Sequence, residues 1–150
     1  MTDAREPKAE PRAVLFACNW NTVRSPMAAA LLRQMGGGRI RVDSCGLQAG
    51  ESVDPFAFAV MQEVGLDVAD HRPKSFEELG GGDFDLVVSL TPQAETRAAE
   101  IAAGAGAALE CWPCADPTGE DGSREQRLEA YRQVRRELER RLAARFGGPA

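Results

Sequence analysis

Long apolar runs are missing from this 150-residue chain. Nothing in it approaches the roughly 18 uninterrupted apolar residues that a membrane-spanning helix needs. Residues 1–11 mix charge and proline without an apolar stretch, which excludes a secretory signal. The expectation is a soluble, cytoplasmic protein with a flexible N-terminal tail over residues 1–11, and no membrane partner. Positive charge is also in short supply: 18 basic against 23 acidic residues leave a net charge of −5, which argues against a nucleic-acid partner held by a basic surface. Histidine occurs once, as His71, and cysteine four times, at Cys18, Cys45, Cys111 and Cys114. In an intracellular chain these cysteines suit buried, catalytic or redox roles better than a disulfide scaffold. A zinc site built on Cys111-Trp-Pro-Cys114 would need two more ligands, with Cys45 and His71 the only candidates. Neither a metal nor a cofactor is expected.

The length suits one domain, assigned to residues 12–150, and 43% hydrophobic residues suffice for a core of its own. Val-Leu-Phe-Ala within residues 12–17 reads as a strand buried on both faces. Ser25-Pro26 then suits a helix start, with Ser25 as cap, and the helix runs to the glycines at 36–38. Further strands are expected over residues 39–44, 83–90 and 107–112. Helices are expected from Asp54-Pro55 to Gly65 and from Pro92 to Ala103. A C-terminal helix buries Leu128, Tyr131, Val134, Leu138 and Leu142, with its arginines on a solvated outer face. Strands alternating with helices imply a parallel sheet covered on both sides, whose ligand sites lie beyond the carboxyl ends of the strands.

Cys18-Asn19-Trp20-Asn21-Thr22-Val23-Arg24-Ser25 falls at such a place. A loop wound between a strand and a helix N-terminus converges its amides on one point, where a tetrahedral anion is held. Residues 19–25 are therefore the candidate phosphate-binding loop. A cysteine at its mouth is favoured as the thiolate, the nucleophilic form. Arg24 offers a planar fork for two oxygens of the anion and for the charge that develops in the transition state. Ser25 would donate its hydroxyl to the sulfur and improve it as a leaving group. The bare Cys-(five residues)-Arg spacing is weak in a chain rich in arginine; its position between strand and helix, with Ser-Pro following, makes it specific.

Expelling an alkoxide from phosphorus needs a proton donor, and water attack on the thiophosphate later needs a base. Asp54-Pro55 reads as a helix cap. Asp116-Pro117 follows the fourth strand on the ligand-facing edge, which makes Asp116 the candidate acid and base.

With these residues assembled, the chain resembles the low-molecular-weight protein tyrosine phosphatase family, which includes thioredoxin-linked arsenate reductases. The carriers are Val14 to Cys18, Asn21, Arg24-Ser25-Pro26, Asp43-Ser44-Cys45-Gly46, Asp54-Pro55, Gly65-Leu66-Asp67, His71-Arg72 and Asp116-Pro117. The resemblance implies an α/β fold, a single-domain flavodoxin-like sandwich with a four-stranded parallel sheet flanked by helices. It also implies Cys18 as nucleophile, Arg24 as phosphate clamp, Asp116 as general acid, and a supporting network of Asn21, Ser44 and His71. Such proteins act on a phosphorylated protein or a small phosphomonoester and are commonly monomers.

Three features depart from that pattern. Trp20 stands where the family places glycine, Val23 where many phosphatases carry a second cysteine, and Thr118-Gly119 where tyrosines often line the entrance. The leading expectation is a phosphatase working through a phosphocysteine on Cys18. The alternatives are an arsenate reductase using Cys18 with Cys111 or Cys114, and a non-catalytic phosphate- or phosphopeptide-binding module. Residues 89–97, where the reductases carry their relay cysteines, contain none.

Overall fold

A computed structural model describes residues 10–147. Most of the expected N-terminal tail, residues 1–9, lies outside that range; Glu10 is exposed and Pro11 already buried. Four parallel strands, β1 (Ala13–Cys18), β2 (Arg41–Gly46), β3 (Leu86–Ser89) and β4 (Ala108–Cys111), form one sheet in the order β2-β1-β3-β4. All six residues of β1 are buried, because the strand is central and both its faces are covered. Val14, Phe16 and Cys18 point to one side, where α1 (Arg24–Gly36), α2 (Pro55–Gln62) and α5 (Arg124–Leu142) pack. Ala13, Leu15 and Ala17 point to the other, towards α3 (Phe76–Leu79) and α4 (Glu95–Ala105). The expected single-domain α/β sandwich with a four-stranded parallel sheet is present. Crossing from β1 to β2 on one side and to β3 on the other opens a crevice at the carboxyl end of β1.

Element boundaries moved for local reasons. Gly37 closes α1 in the left-handed conformation (φ 57°), so β2 starts at Arg41, whose N–H bonds to Arg12 O, and not at Arg39. Thr91 caps a single 3-10 turn, Pro92–Ala94, before α4 begins. β4 ends at Cys111 because Trp112 turns into the core against Phe16, with ring centroids 6.0 Å apart. The short α3 was not expected; Ser75 and Glu78 form a reciprocal capping box around it.

The apolar stripe of α5 is buried as anticipated, but its arginines do not all face water. Arg135 is only 7% exposed and donates to Val60 O at 2.7 Å and to Glu63 at 2.9 Å. Arg132 also pairs with Glu63, so two charges of the supposed outer face clamp α5 to the end of α2. Asp54 caps α2 through Phe56 N–H and accepts from Tyr131 Oη at 2.9 Å, which fixes the same two helices near the loop after β1. Among the described residues no helix is long and apolar enough to cross a membrane.

Candidate active site

The segment from Cys18 to Val23 is defined by where its carbonyls go. Those of Cys18, Asn19, Trp20 and Thr22 accept from the backbone N–H groups of Leu47, Gln48, Gly50 and Asp54, at 2.9–3.1 Å. Val23 O accepts from Met27 N–H at 3.1 Å, and Asn21 O is 2.9 Å from His71 Nε2. In a trans peptide the N–H points opposite to the C=O. Turning six consecutive carbonyls outward therefore turns the N–H groups of residues 19–24 inward, onto a common centre at the start of α1. This is an anion-binding nest, reinforced by the helix dipole.

Asn21 is the hub of that shape. It is fully buried and takes a left-handed backbone (φ 58°), which asparagine tolerates better than other side chains. Its Nδ2 donates to Ser25 Oγ at 2.8 Å and to Ser44 Oγ at 3.0 Å, while its Oδ1 accepts from Lys74 N–H at 2.9 Å. Since Asn21 O can only accept, His71 must carry its proton on Nε2. Burial is the main cause holding the His71 pKa below its ordinary value, with the Lys74 and Arg33 charges adding to it, so the ring is neutral at pH 7. Asn21, Ser44 and His71 thus meet in one hydrogen-bonded group.

Cys18 closes β1 with its sulfur 2.9 Å from Ser25 Oγ, both groups buried. Ser25 does not cap α1, which starts at Arg24 with Val23 in the cap position, two residues earlier than expected, and no side-chain cap. Its hydroxyl is spent on Cys18, Asn21 and the carbonyl of Cys45. Arg24 is 7% exposed and donates through Nη1 to Cys114 O at 3.1 Å, so its guanidinium spans from α1 to the segment after β4.

Asp116 lies on that segment. Its Oδ1 accepts from Thr118 N–H (3.0 Å) and Oγ1 (2.6 Å), which makes Thr118 the residue that aims it. Partial burial pushes its pKa up, but the two Thr118 bonds and the Arg24 charge outweigh it and hold the carboxyl below its ordinary value. Trp20 is 52% exposed, so its indole reaches into solvent and does not fill the loop. Thr22 places its methyl against Gly50, and Asn19 Oδ1 accepts from Thr91 Oγ1 at 2.8 Å.

The remaining thiols divide by face. Cys45 is fully buried on the α3–α4 side, and burial, with Cys18 and Asp43 nearby, pushes its pKa up. Cys111 is exposed beside Glu95 of α4, also on that side. Cys114 packs with Cys18 on the α1–α5 side.

Several contributors escaped sequence reasoning. Gly46 and Gly50 let the 46–50 segment approach the loop: a Cβ at Gly46 would sit 2.8 Å from Asn21 N, and one at Gly50 2.5 Å from Thr22 Cγ2. Lys74 and Thr91 hold Asn21 and Asn19 from distant segments. The only early signal was Gly46 at the end of Asp-Ser-Cys-Gly.

Comparison with known proteins fits this geometry. The chain is 34% identical over 138 residues to a glutaredoxin arsenate reductase of Synechocystis sp., covering 87% of this chain and 93% of that protein. A solved arsenate reductase in its phosphate-binding state shares 31% identity at a TM-score of 0.69, covering 89% of this chain and 95% of that one. A tyrosine phosphatase of Erwinia amylovora shares the fold at a TM-score of 0.70 with 22% identity, over 92% and 95% of the two chains. Residues 13–146 match the family described as low molecular weight phosphotyrosine protein phosphatase, and the chain belongs to that enzyme family.

Proposed function

We propose that this protein reduces arsenate at Cys18. Arsenate has the shape and charge of phosphate, so a nest of six inward N–H groups with a guanidinium above it suits both. In the first step the Cys18 thiolate attacks arsenic and an As–O bond breaks, an arsenate hydroxyl leaving as water with a second proton that Asp116, ionised in the free site, first takes up from solvent or from the bound oxyanion. In the second, another thiolate attacks the Cys18 sulfur. The S–As bond breaks with its electron pair left on arsenic, which departs as arsenite while the two sulfurs form a disulfide. Two thiols are oxidised and one As(V) becomes As(III). Ser25 Oγ, 2.9 Å from the sulfur, stabilises the thiolate before attack. Asn21, Ser44 and His71 hold the loop that positions it.

What carries this reading over the phosphatase expected first is the 34% identity with an arsenate reductase across 87% of the chain. Phosphomonoester hydrolysis is the second reading, favoured by Asp116 beside Arg24 and by the absence of cysteine from residues 89–97. In it, the same sulfur forms a phosphocysteine that water cleaves with Asp116 as base.

Parallel assays separate the two. Purified protein with NADPH, glutathione, glutaredoxin and glutathione reductase should consume NADPH only when arsenate is added, and p-nitrophenyl phosphate should be cleaved far more slowly. Rapid ester cleavage with no arsenate-dependent NADPH loss would establish the phosphatase instead.

A further inference from the structure

Arsenate reduction at Cys18 requires a second thiol, and the position family reductases use for it is empty of cysteine here. Cys45 and Cys111 are on the wrong side of the sheet, the first sealed under α3 and α4 and the second beside Glu95. Cys114 alone shares the Cys18 side, half-buried against the same apolar cluster. Its backbone is tied into the site twice: its N–H bonds to Leu90 O at 3.0 Å and its carbonyl takes the Arg24 Nη1 bond at 3.1 Å. Leu90 in turn bonds to Ala17 O at 2.8 Å, next to Cys18. Its other side borders a solvent-open cleft of about 470 Å³ between the 113–120 segment and α5, lined by Asp116, Glu120, Gln133, Glu137 and Arg140.

We propose that Cys114 is the resolving thiol of Cys18, joining it in a disulfide that releases arsenite and is then reduced through the cleft by an external dithiol protein. The proposal rests on the arsenate reading above for its substrate, not for the pairing of the two sulfurs. The electrons balance within the chain: burial pushes the Cys114 pKa up to about 11, so its thiol gives its proton to solvent as the segment opens, its sulfur attacks the Cys18 sulfur, and the S–As bond breaks towards arsenic. The dithiol then attacks Cys114, leaves as its own disulfide, and restores both thiols.

Geometry sets one condition. Cys18 and Cys114 flank Leu90, two strand spacings apart, or about 10 Å, whereas a disulfide needs Cα atoms about 5.5–6 Å apart. The 112–116 segment must therefore swing inward by about 4 Å. One of its two ties is the guanidinium that the anion recruits; the other, the Cys114 N–H bond to Leu90 O, opens in the swing itself. When Arg24 turns onto arsenate it gives up Cys114 O, so substrate binding loosens the segment that carries the second thiol.

The test uses the reduced full chain in single turnover. Samples are incubated with excess arsenate and no added thiol, alkylated, peptide-mapped, and assayed for arsenite. A parallel set receives one equivalent of hydrogen peroxide, which oxidises Cys18 to the sulfenic acid independently of arsenic chemistry. The expected result is about one arsenite per chain and a Cys18–Cys114 peptide in the arsenate set. The same peptide is expected in the peroxide set, with water as the group expelled. Cys114→Ser should release at least ten-fold less arsenite and form no disulfide to Cys18, while Cys111→Ser should match wild type. Cys114→Ala, with a circular dichroism melt, excludes a folding defect as the cause. A Cys18 disulfide to any other cysteine, or over-oxidation of Cys18 with Cys114 still reduced, overturns the proposal. If peroxide yields Cys18–Cys114 while no arsenite forms even with dithiothreitol, the pairing stands and the arsenate reading falls.

Discussion

The two segments that bracket the candidate site are built in opposite ways. Residues 18–25 are anchored at every carbonyl from Cys18 to Val23, and their hub residues Asn21 and Ser25 have no exposed surface. Residues 113–119 are largely exposed, held by the Cys114 bonds and by the turn between Asp116 and Thr118. The first segment has one shape, because every alternative would leave buried polar groups without partners. The second has few contacts to lose. A rigid anion cradle facing a lightly tethered segment is the arrangement expected where one side must be preorganised and the other must deliver a proton or a thiol.

That contrast can be broken from its rigid side first. Cys18→Ser should reduce turnover of either oxyanion to background with the fold intact, measured by arsenite release and ester hydrolysis beside a thermal melt. Arg24→Lys keeps the charge but not the planar fork, and kcat/KM should fall by roughly 10²–10³. Asn21→Ala strands Lys74 N–H and leaves a non-glycine residue in the left-handed region. A loss of about 3 kcal/mol in urea unfolding is expected, together with most activity. If Asn21→Ala were as stable as wild type, the loop would not be over-determined in the way described.

Changes on the exposed segment should spare stability and touch chemistry. Asp116→Asn should leave the melting temperature nearly unchanged and slow cleavage of esters with poor leaving groups by roughly 10²-fold, with much less effect on activated esters. Equal slowing of both would remove Asp116 from the proton-transfer role. The smallest effect concerns pH. The folded His71 pKa lies below its unfolded value of about 6.5, so the unfolded chain binds more protons in the window just beneath that pH. Stability should therefore fall as pH drops below about 6.5 and level off once the folded ring is protonated. His71→Gln, which keeps a donor for Asn21 O, should flatten that part of the profile.

Much of the fold was legible because it rests on local patterns. The apolar run at 14–17, the Asp54-Pro55 cap and the stripe Leu128, Tyr131, Val134, Leu138 and Leu142 each report burial without knowledge of partners. The Cys18–Arg24 spacing was legible for the same reason. What sequence reading missed depends on contacts far apart in the chain. Ser25 reads as a cap until Asn21, Cys18 and Cys45 are seen to claim its hydroxyl. Arg135 reads as solvated until Glu63 and Val60 arrive from α2. The sequence already offers Cys114 beside Cys111 as a partner for Cys18; which of the two shares the Cys18 side of the sheet depends on the fold.

We assign the first encounter with arsenate to the sulfur of Cys18, seated in a ring of main-chain N–H groups. Chromatographic separation of arsenite from arsenate after incubation with the protein and dithiothreitol decides it. Wild type should convert arsenate continuously while Cys18→Ser yields no more arsenite than dithiothreitol alone. Arsenite production above the dithiothreitol baseline in Cys18→Ser, or none above it in wild type, would refute that assignment.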